Sequence, residues 1–231
     1  MNRMVLVAGA ASGLGYQLTK KYLENQDTVF GLDVRASKEA RELEREYPAF
    51  SFLNADLSSS RSVFEAAKVI REKTDHLDLI FNNAGIYRFE DKVTLEKTDM
   101  EGFSVMYEVN AVGPFRVVKE VWELIGDTSI LVFTSSEAGS ISDCWRTGEY
   151  SYCMSKAALN MGIRILANAV KDRGVRLLAV HPGWMKTAMG GEGAAVDPSA
   201  SAEGFIRLVE QIDEIPPDRI YMEYDGSPLS W

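Results

Sequence analysis

Cysteine is scarce: Cys144 and Cys153 are the two thiols in 231 residues. Two thiols cannot build a disulfide framework, and they lack the paired Cys/His spacing of a zinc site, so no metal is expected. Free thiols fit a reducing cytoplasm. Long apolar runs are also missing; none approaches the ~20 residues that a membrane span needs. The Met4–Ala8 run is too short for the core of a signal peptide and leads straight into a glycine loop. Runs of Lys and Arg are absent as well. The chain carries 25 basic against 34 acidic side chains, a net charge of −9. Nucleic acids and anionic membranes have the same sign, so neither is expected as a partner. No repeat, low-complexity tract or Pro/Ser linker divides the chain. Its 46% apolar and 26% charged content is the ordinary globular balance. The expectation is one acidic, cytoplasmic domain over residues 1–231.

Short apolar runs alternate with longer amphipathic stretches. The runs are Met4–Ala8, Val29–Leu32, Phe50–Leu53, Leu77–Phe81, Ile130–Phe133, Val175–Val180 and Ile220–Met222. Several are almost continuously apolar, as strands buried on both faces of a parallel sheet are. Between them, Val63–Ile70 and Ala157–Val170 repeat apolar residues at three and four, the period of a helix. Longer helices are expected over Gly102–Ile125 and Tyr152–Asp172. Alternation of this kind implies a doubly wound α/β fold in three layers. Glu137–Glu149 and Lys186–Asp197 are the least regular stretches. Both follow expected strands, at the carboxyl ends where such sheets place ligands. The second holds Gly190, Gly191 and Gly193 and is expected to move.

The first strand ends in Ala8-Gly9-Ala10-Ala11-Ser12-Gly13-Leu14-Gly15, with a helix beginning near Leu14. Residues without Cβ allow a tight turn and let a pyrophosphate come close to the backbone. The helix N-terminus adds free N–H groups and a positive dipole end. Asp33 closes the second strand, 20 positions after Gly13. A carboxylate there can accept both hydroxyls of an adenosine ribose and would repel a 2′-phosphate. That favours NAD over NADP, although Arg35 is close enough in sequence to pair with a phosphate. The alternative for Asp33 is a solvated strand-end carboxylate. Asp56 could accept from the adenine amino group, or could cap a helix over Ser58–Arg71.

The ordered set of motifs resembles the short-chain dehydrogenase/reductase family. Gly9, Gly13 and Gly15 match its glycine loop, and Asn82-Asn83-Ala84-Gly85 its fourth-strand motif. Asn110 matches its helix asparagine. Ser136, with Gly139 in S-x-x-G, and Tyr152-Cys153-Met154-Ser155-Lys156 match its serine and Y-x-x-x-K. Pro182-Gly183 and Thr187 match the loop after its sixth strand. The stretch Ala179–Thr187 with Met189-Gly190-Gly191, and the tail Tyr221–Gly226, are similar to the branch of bacterial C-factor and sniffer-type carbonyl reductases.

The resemblance implies a Rossmann-type fold and an NAD-dependent oxidoreductase, with NADP as the second option. Its substrate would be a small carbonyl or secondary alcohol, and its assembly a homodimer or homotetramer. The implied catalytic residues are Asn110, Ser136, Tyr152 and Lys156. Implied cofactor contacts are Gly9, Ser12, Gly13, Leu14, Gly15, Asp33, Asp56, Leu57, Asn83, Ala84, Gly85, Pro182, Gly183 and Thr187, with Tyr152 and Lys156. Tyr152 and Lys156 are four apart and share a helix face. A free tyrosine titrates near ~10, and a nearby ammonium is expected to lower that value. Tyr152 would then exchange a proton with the substrate oxygen. Ser136 would hydrogen-bond the same oxygen, and Asn110 would anchor a water linking Lys156 to solvent. For Asn110 the competing role is local bonding on its helix.

Three features depart from the family pattern. Ala8 stands where threonine is usual, which would loosen the glycine loop. The Ser136–Tyr152 spacing of 16 is long, so Cys144, Trp145 and Arg146 are expected to hang over the substrate pocket. The segment after Thr187 is short. Arg88, Trp145 and Trp184 are expected to shape the pocket. His181 is expected to be structural, His76 to lie on the surface, and Cys153 to be a small packing residue. A second reading is an NAD-binding signalling or regulatory protein with vestigial catalysis, as the C-factor resemblance suggests. A nucleotide-sugar epimerase is disfavoured, because those relatives carry an extra substrate domain.

Overall fold

Each of the seven apolar runs forms a strand in the computed structural model, which describes residues 2–191 and 193–231. The elements in chain order are β1 Met4–Ala8, α1 Gly13–Glu24, β2 Thr28–Asp33, α2 Lys38–Glu46, β3 Phe50–Asn54, α3 Ser60–Lys73 and β4 Leu77–Asn82. There follow α4 Gly102–Tyr107, a π-helical turn Glu108–Val112, α5 Gly113–Glu120 and β5 Ile125–Thr134. The chain closes with α6 Tyr150–Ala169, β6 Arg176–His181, α7 Pro198–Glu210 and β7 Tyr221–Glu223.

All strands are parallel, in the order β3-β2-β1-β4-β5-β6-β7. The order reverses between β1 and β4. Connections on either side of that pair cross opposite faces, which opens a crevice at the carboxyl ends of the two strands. Burial on both faces explains why the runs lack alternation. Leu6, Ile80, Leu131 and Ala179 pack one face against α3, α5 and α6. Val5, Val7, Leu79, Val132 and Leu178 pack the other against α1 and α7. This is the expected three-layer, doubly wound architecture. No helix among the described residues is long and apolar enough to cross a membrane.

The expected helix over Gly102–Ile125 is broken. Pro114 has no N–H to offer the Asn110 carbonyl four residues earlier, and the chain widens into a π turn there. The helix then stops at Glu120, and Ile125 already opens β5. Helix α6 ends at Ala169, short of Asp172. The cap of α3 is Ser59, whose hydroxyl accepts from Ser62 N, so Asp56 is not the cap.

Candidate active site

A cleft of about 1240 Å³ opens over the carboxyl ends of the strands. Its floor is the glycine loop. Gly9 holds φ +80°, where a Cβ would come within 2.8 Å of Ala84 Cα. Gly13 holds φ +55° and faces Thr187. These two positions need glycine, and together they leave bare backbone facing the cleft. Asn83 braces the loop by donating to the Gly9 carbonyl at 3.3 Å, while its own Oδ1 accepts from Thr134 Oγ1.

The other expected contact residues divide clearly. Ser12, Leu14, Asp33, Asp56, Leu57, Asn83, Ala84, Gly85, Pro182, Gly183 and Thr187 all line the cleft with Gly9 and Gly13. Gly15 does not. It is buried behind the wall, where a Cβ would meet the Gly9 carbonyl at 2.0 Å, so it lets α1 pack against the loop. Asp33 is already engaged, accepting from Ala11 N at 3.1 Å and Val34 N at 2.8 Å. Each oxygen keeps a further lone pair for a ligand hydroxyl. Arg35 is exposed and does not line the cleft wall. The Asp56 carboxylate accepts from Ser58 N and Oγ.

At the other end of the cleft, Ser136, Tyr152 and Lys156 converge from two elements. Ser136 follows β5, and its hydroxyl accepts from Ala138 N at 3.1 Å, capping a short 3-10 turn. Its neighbour Ser135 is spent elsewhere, donating to Asn160 Oδ1 inside the core. Tyr152 and Lys156 lie one turn apart on α6, with Nζ 5.9 Å from the phenol ring centre. Lys156 is buried and donates to the Thr134 carbonyl at 2.9 Å. Burial pulls its ammonium down to about 8.

The expected lowering of Tyr152 is not found. Desolvation pushes the phenol up to about 12, and the Ser136 hydroxyl hydrogen bond offsets only part of that. Spacing on a helix shows that the lysine is near. It does not show how much water the fold strips from the phenol.

Asn110 sits behind the cleft wall; its Nδ2 makes a local contact with Met106 Sδ at 3.7 Å, and its other bonds cross to other elements. Its Oδ1 accepts from Ile86 N at 2.8 Å, and its Nδ2 donates to the Ile86 carbonyl and to Ser155 Oγ. It ties the π turn to the segment after β4 and to α6.

Trp145, Arg146 and Trp184 line the cleft as expected, but Cys144 is exposed and outside it. Arg88 is not a wall residue either. It pairs with Glu90 and Asp99, holding the 88–99 segment together. His181 reaches the cleft, and burial lowers its imidazole below the ordinary value. His76 is on the surface beside Asp75. Cys153 is half-buried, with its thiol pushed up to about 11 by desolvation, which suits a packing residue. Sequence reasoning missed Tyr87, Thr134, Glu137 and Glu149 in the wall. Glu137 follows Ser136 directly, and that adjacency was the one signal available.

The chain matches the family model described as short chain dehydrogenase over residues 3–196. Its fold superposes on the carbonyl reductase Sniffer of D. melanogaster with a TM-score of 0.87 at 27% identity, covering 100% of both chains. An NADPH-bound carbonyl reductase from chicken fatty liver also gives 0.87, at 26% identity, covering 100% of this chain and 99% of that one. C-signal of Myxococcus xanthus is 29% identical over 160 residues, 68% of this chain and 95% of that protein.

Proposed function

The chain belongs to the short-chain dehydrogenase family, and from that premise we propose that it interconverts a secondary alcohol and a carbonyl with NAD(H), using Tyr152 as general acid/base. The convergence of Ser136, Tyr152 and Lys156 on one cleft beside a bare glycine loop carries this reading. The cradle fits a dinucleotide: Gly9 and Gly13 keep Cβ atoms out of the place where phosphates would approach. When bound, the nicotinamide supplies or accepts the hydride.

The protein's own residues do the rest. Tyr152 gives its proton to the carbonyl oxygen in reduction, or takes the hydroxyl proton in oxidation. Ser136 donates to the same oxygen and stabilises its developing charge. Lys156, held by Thr134, brings positive charge beside the phenolate and holds the nicotinamide ribose. Asn110 keeps the segment after β4 against α6. Asp33 accepts the adenosine ribose hydroxyls, and its charge favours NAD. The dinucleotide named with the chicken relative is NADPH, so NADP is the alternative that the Asp33 charge disfavours.

An exposed apolar stripe supports a homodimer or homotetramer: Met154, Met161 and Ile165 lie on one face of α6. The similarity to C-signal favours a second reading, an NAD-binding signalling protein. Nicotinamide absorbance across a panel of aromatic and aliphatic carbonyls separates the two. Turnover that falls by ~10²–10⁴ in Tyr152→Phe, with dinucleotide affinity kept, supports the enzyme reading. Tight NAD binding with no turnover on any carbonyl supports the second. Unchanged turnover in the variant would end the Tyr152 mechanism.

A further inference from the structure

Four side chains at the reactive end of the cleft have no part in the proton transfer. Arg146 donates to both oxygens of Glu137, at 2.9 and 2.7 Å, and through Nε to Glu149 at 3.1 Å. Glu149 also accepts from the Tyr87 hydroxyl. The Tyr87 ring stands edge-on to Tyr152, with centres 5.1 Å apart at 82°. At the other end, the Ser136 hydroxyl lies 3.3 Å from the Glu137 carboxylate. The contacts therefore form a ring that leaves Ser136, passes through Arg146 and returns at Tyr152.

These are not ordinary surface ion pairs. The Arg146 side chain is only 14% exposed, between Glu149 at 16% and Glu137 at 35%. Bidentate guanidinium–carboxylate pairs in such surroundings are among the stronger polar contacts. Glu149 supplies a second, independent observation. It precedes α6 in the left-handed region, at φ +62°, and makes no capping bond with its side chain. That conformation is strained for a non-glycine residue, and an N-cap normally uses its side chain on the helix. Here the carboxylate is used on Arg146 and Tyr87 instead.

We propose that Arg146 and Glu137 are a positioning pair: they hold Ser136 and Tyr152 in register across the cleft and set the charge beside the phenol. The inference rests on the reading of Tyr152 as the acid/base. The ionisable groups around that phenol are Cys153 and Lys156 on α6, Glu137 after β5, Arg146 and Glu149 in the loop, Tyr87 after β4, and His181 with Glu223 at the ends of β6 and β7. Among them Glu137 raises the phenol and Arg146 lowers it. The two charges thus act on the phenol in opposite directions, so removing each has its own expected sign.

The test uses the NAD-saturated protein. Tyr152 is titrated by ultraviolet difference absorbance, each protein being compared with its own Tyr152→Phe counterpart. Glu137→Gln is expected to ionise at lower pH than the parent, Arg146→Met at higher pH, and Arg146→Lys close to the parent. Turnover of para-nitrobenzaldehyde should fall by about tenfold or more in Arg146→Met, with partial recovery in Arg146→Lys, because small misplacements of reacting groups are costly. Shifts in the same direction for Glu137→Gln and Arg146→Met, or no shift in either, would overturn the proposal. If Arg146→Met does not fold, Arg146→Gln, which also removes the charge, carries its half of the sign test. The titration needs no turnover, so opposite shifts with an active Tyr152→Phe protein would leave the pair standing and overturn only the acid/base reading.

Discussion

Lys156 Nζ donates to the Thr134 carbonyl at 2.9 Å, joining helix α6 to the end of β5 from inside the protein. Its burial has a thermodynamic consequence. The ammonium is lowered to about 8 from its ordinary 10.5. Between those values the unfolded chain holds a proton that the folded chain has released. The Lys156 contribution to stability should therefore rise with pH across that window, by up to ~3 kcal/mol. Denaturant unfolding at steps through the window checks this. Lys156→Met should flatten the rise and abolish turnover. Cys153, raised to about 11, acts the other way above ~9, so the Lys156 contribution is read as the difference between the parent and Lys156→Met curves, and no difference would show that Lys156 is not desolvated.

Cofactor choice should depend on one charge. Asp33 is the acidic group in the cleft wall at the end of β2, and Arg35 lies outside that wall. Repulsion between a carboxylate and a 2′-phosphate a few ångströms apart is worth ~1–4 kcal/mol at surface dielectrics. Asp33→Asn removes the charge and keeps one acceptor. The ratio of kcat/KM for NAD over NADP should fall at least ~tenfold. A ratio unchanged within twofold would place discrimination elsewhere.

The strands and the glycine loop were legible in the sequence for one physical reason. Both depend on short-range pattern: continuous apolar runs for strands such as Met4–Ala8, and missing Cβ atoms at Gly9 and Gly13. The break in Gly102–Ile125 was also written there, in Pro114, but the apolar pattern runs on across it through Val117, Val118 and Val121. The direction of the Tyr152 shift was not legible, because desolvation depends on what packs around the phenol in space. Nor was the Arg146 ring. Its members, Tyr87, Glu137, Arg146 and Glu149, come from irregular segments with no period to read.

Assembly should follow the exposed face of α6. Met161 and Ile165 are each 61% exposed, four residues apart, with Met154 on the same stripe at 57%. Apolar side chains concentrated on one helix face are more than scattered surface residues and mark a contact surface. The parent is expected to give a dimer or tetramer mass by light scattering at micromolar concentration. Met161→Glu with Ile165→Glu should shift that mass to the monomer while the fold persists. A monomeric parent would refute the assembly.

The last residues of the chain bear on Ser136. The Tyr221 hydroxyl donates to the Ser136 carbonyl at 2.6 Å, and the Tyr221 ring stacks on Trp231 with centres 4.7 Å apart. The Trp231 carbonyl in turn accepts from Ser142 N and Oγ, on the loop that leads to Arg146. Burial raises the Tyr221 phenol to about 12, so it remains a donor at neutral pH. Tyr221→Phe keeps the stacking but leaves a buried carbonyl without this partner, at a cost of ~1–3 kcal/mol. If that bond also fixes the Ser136 backbone, kcat should fall severalfold while NAD affinity holds, since the glycine loop lies at the far end of the cleft. Trp231→Ala removes the stacking and frees Tyr221 to move, so it should reproduce both effects in weaker form. A stability loss in either variant with kcat unchanged would make the tail a brace for the fold alone.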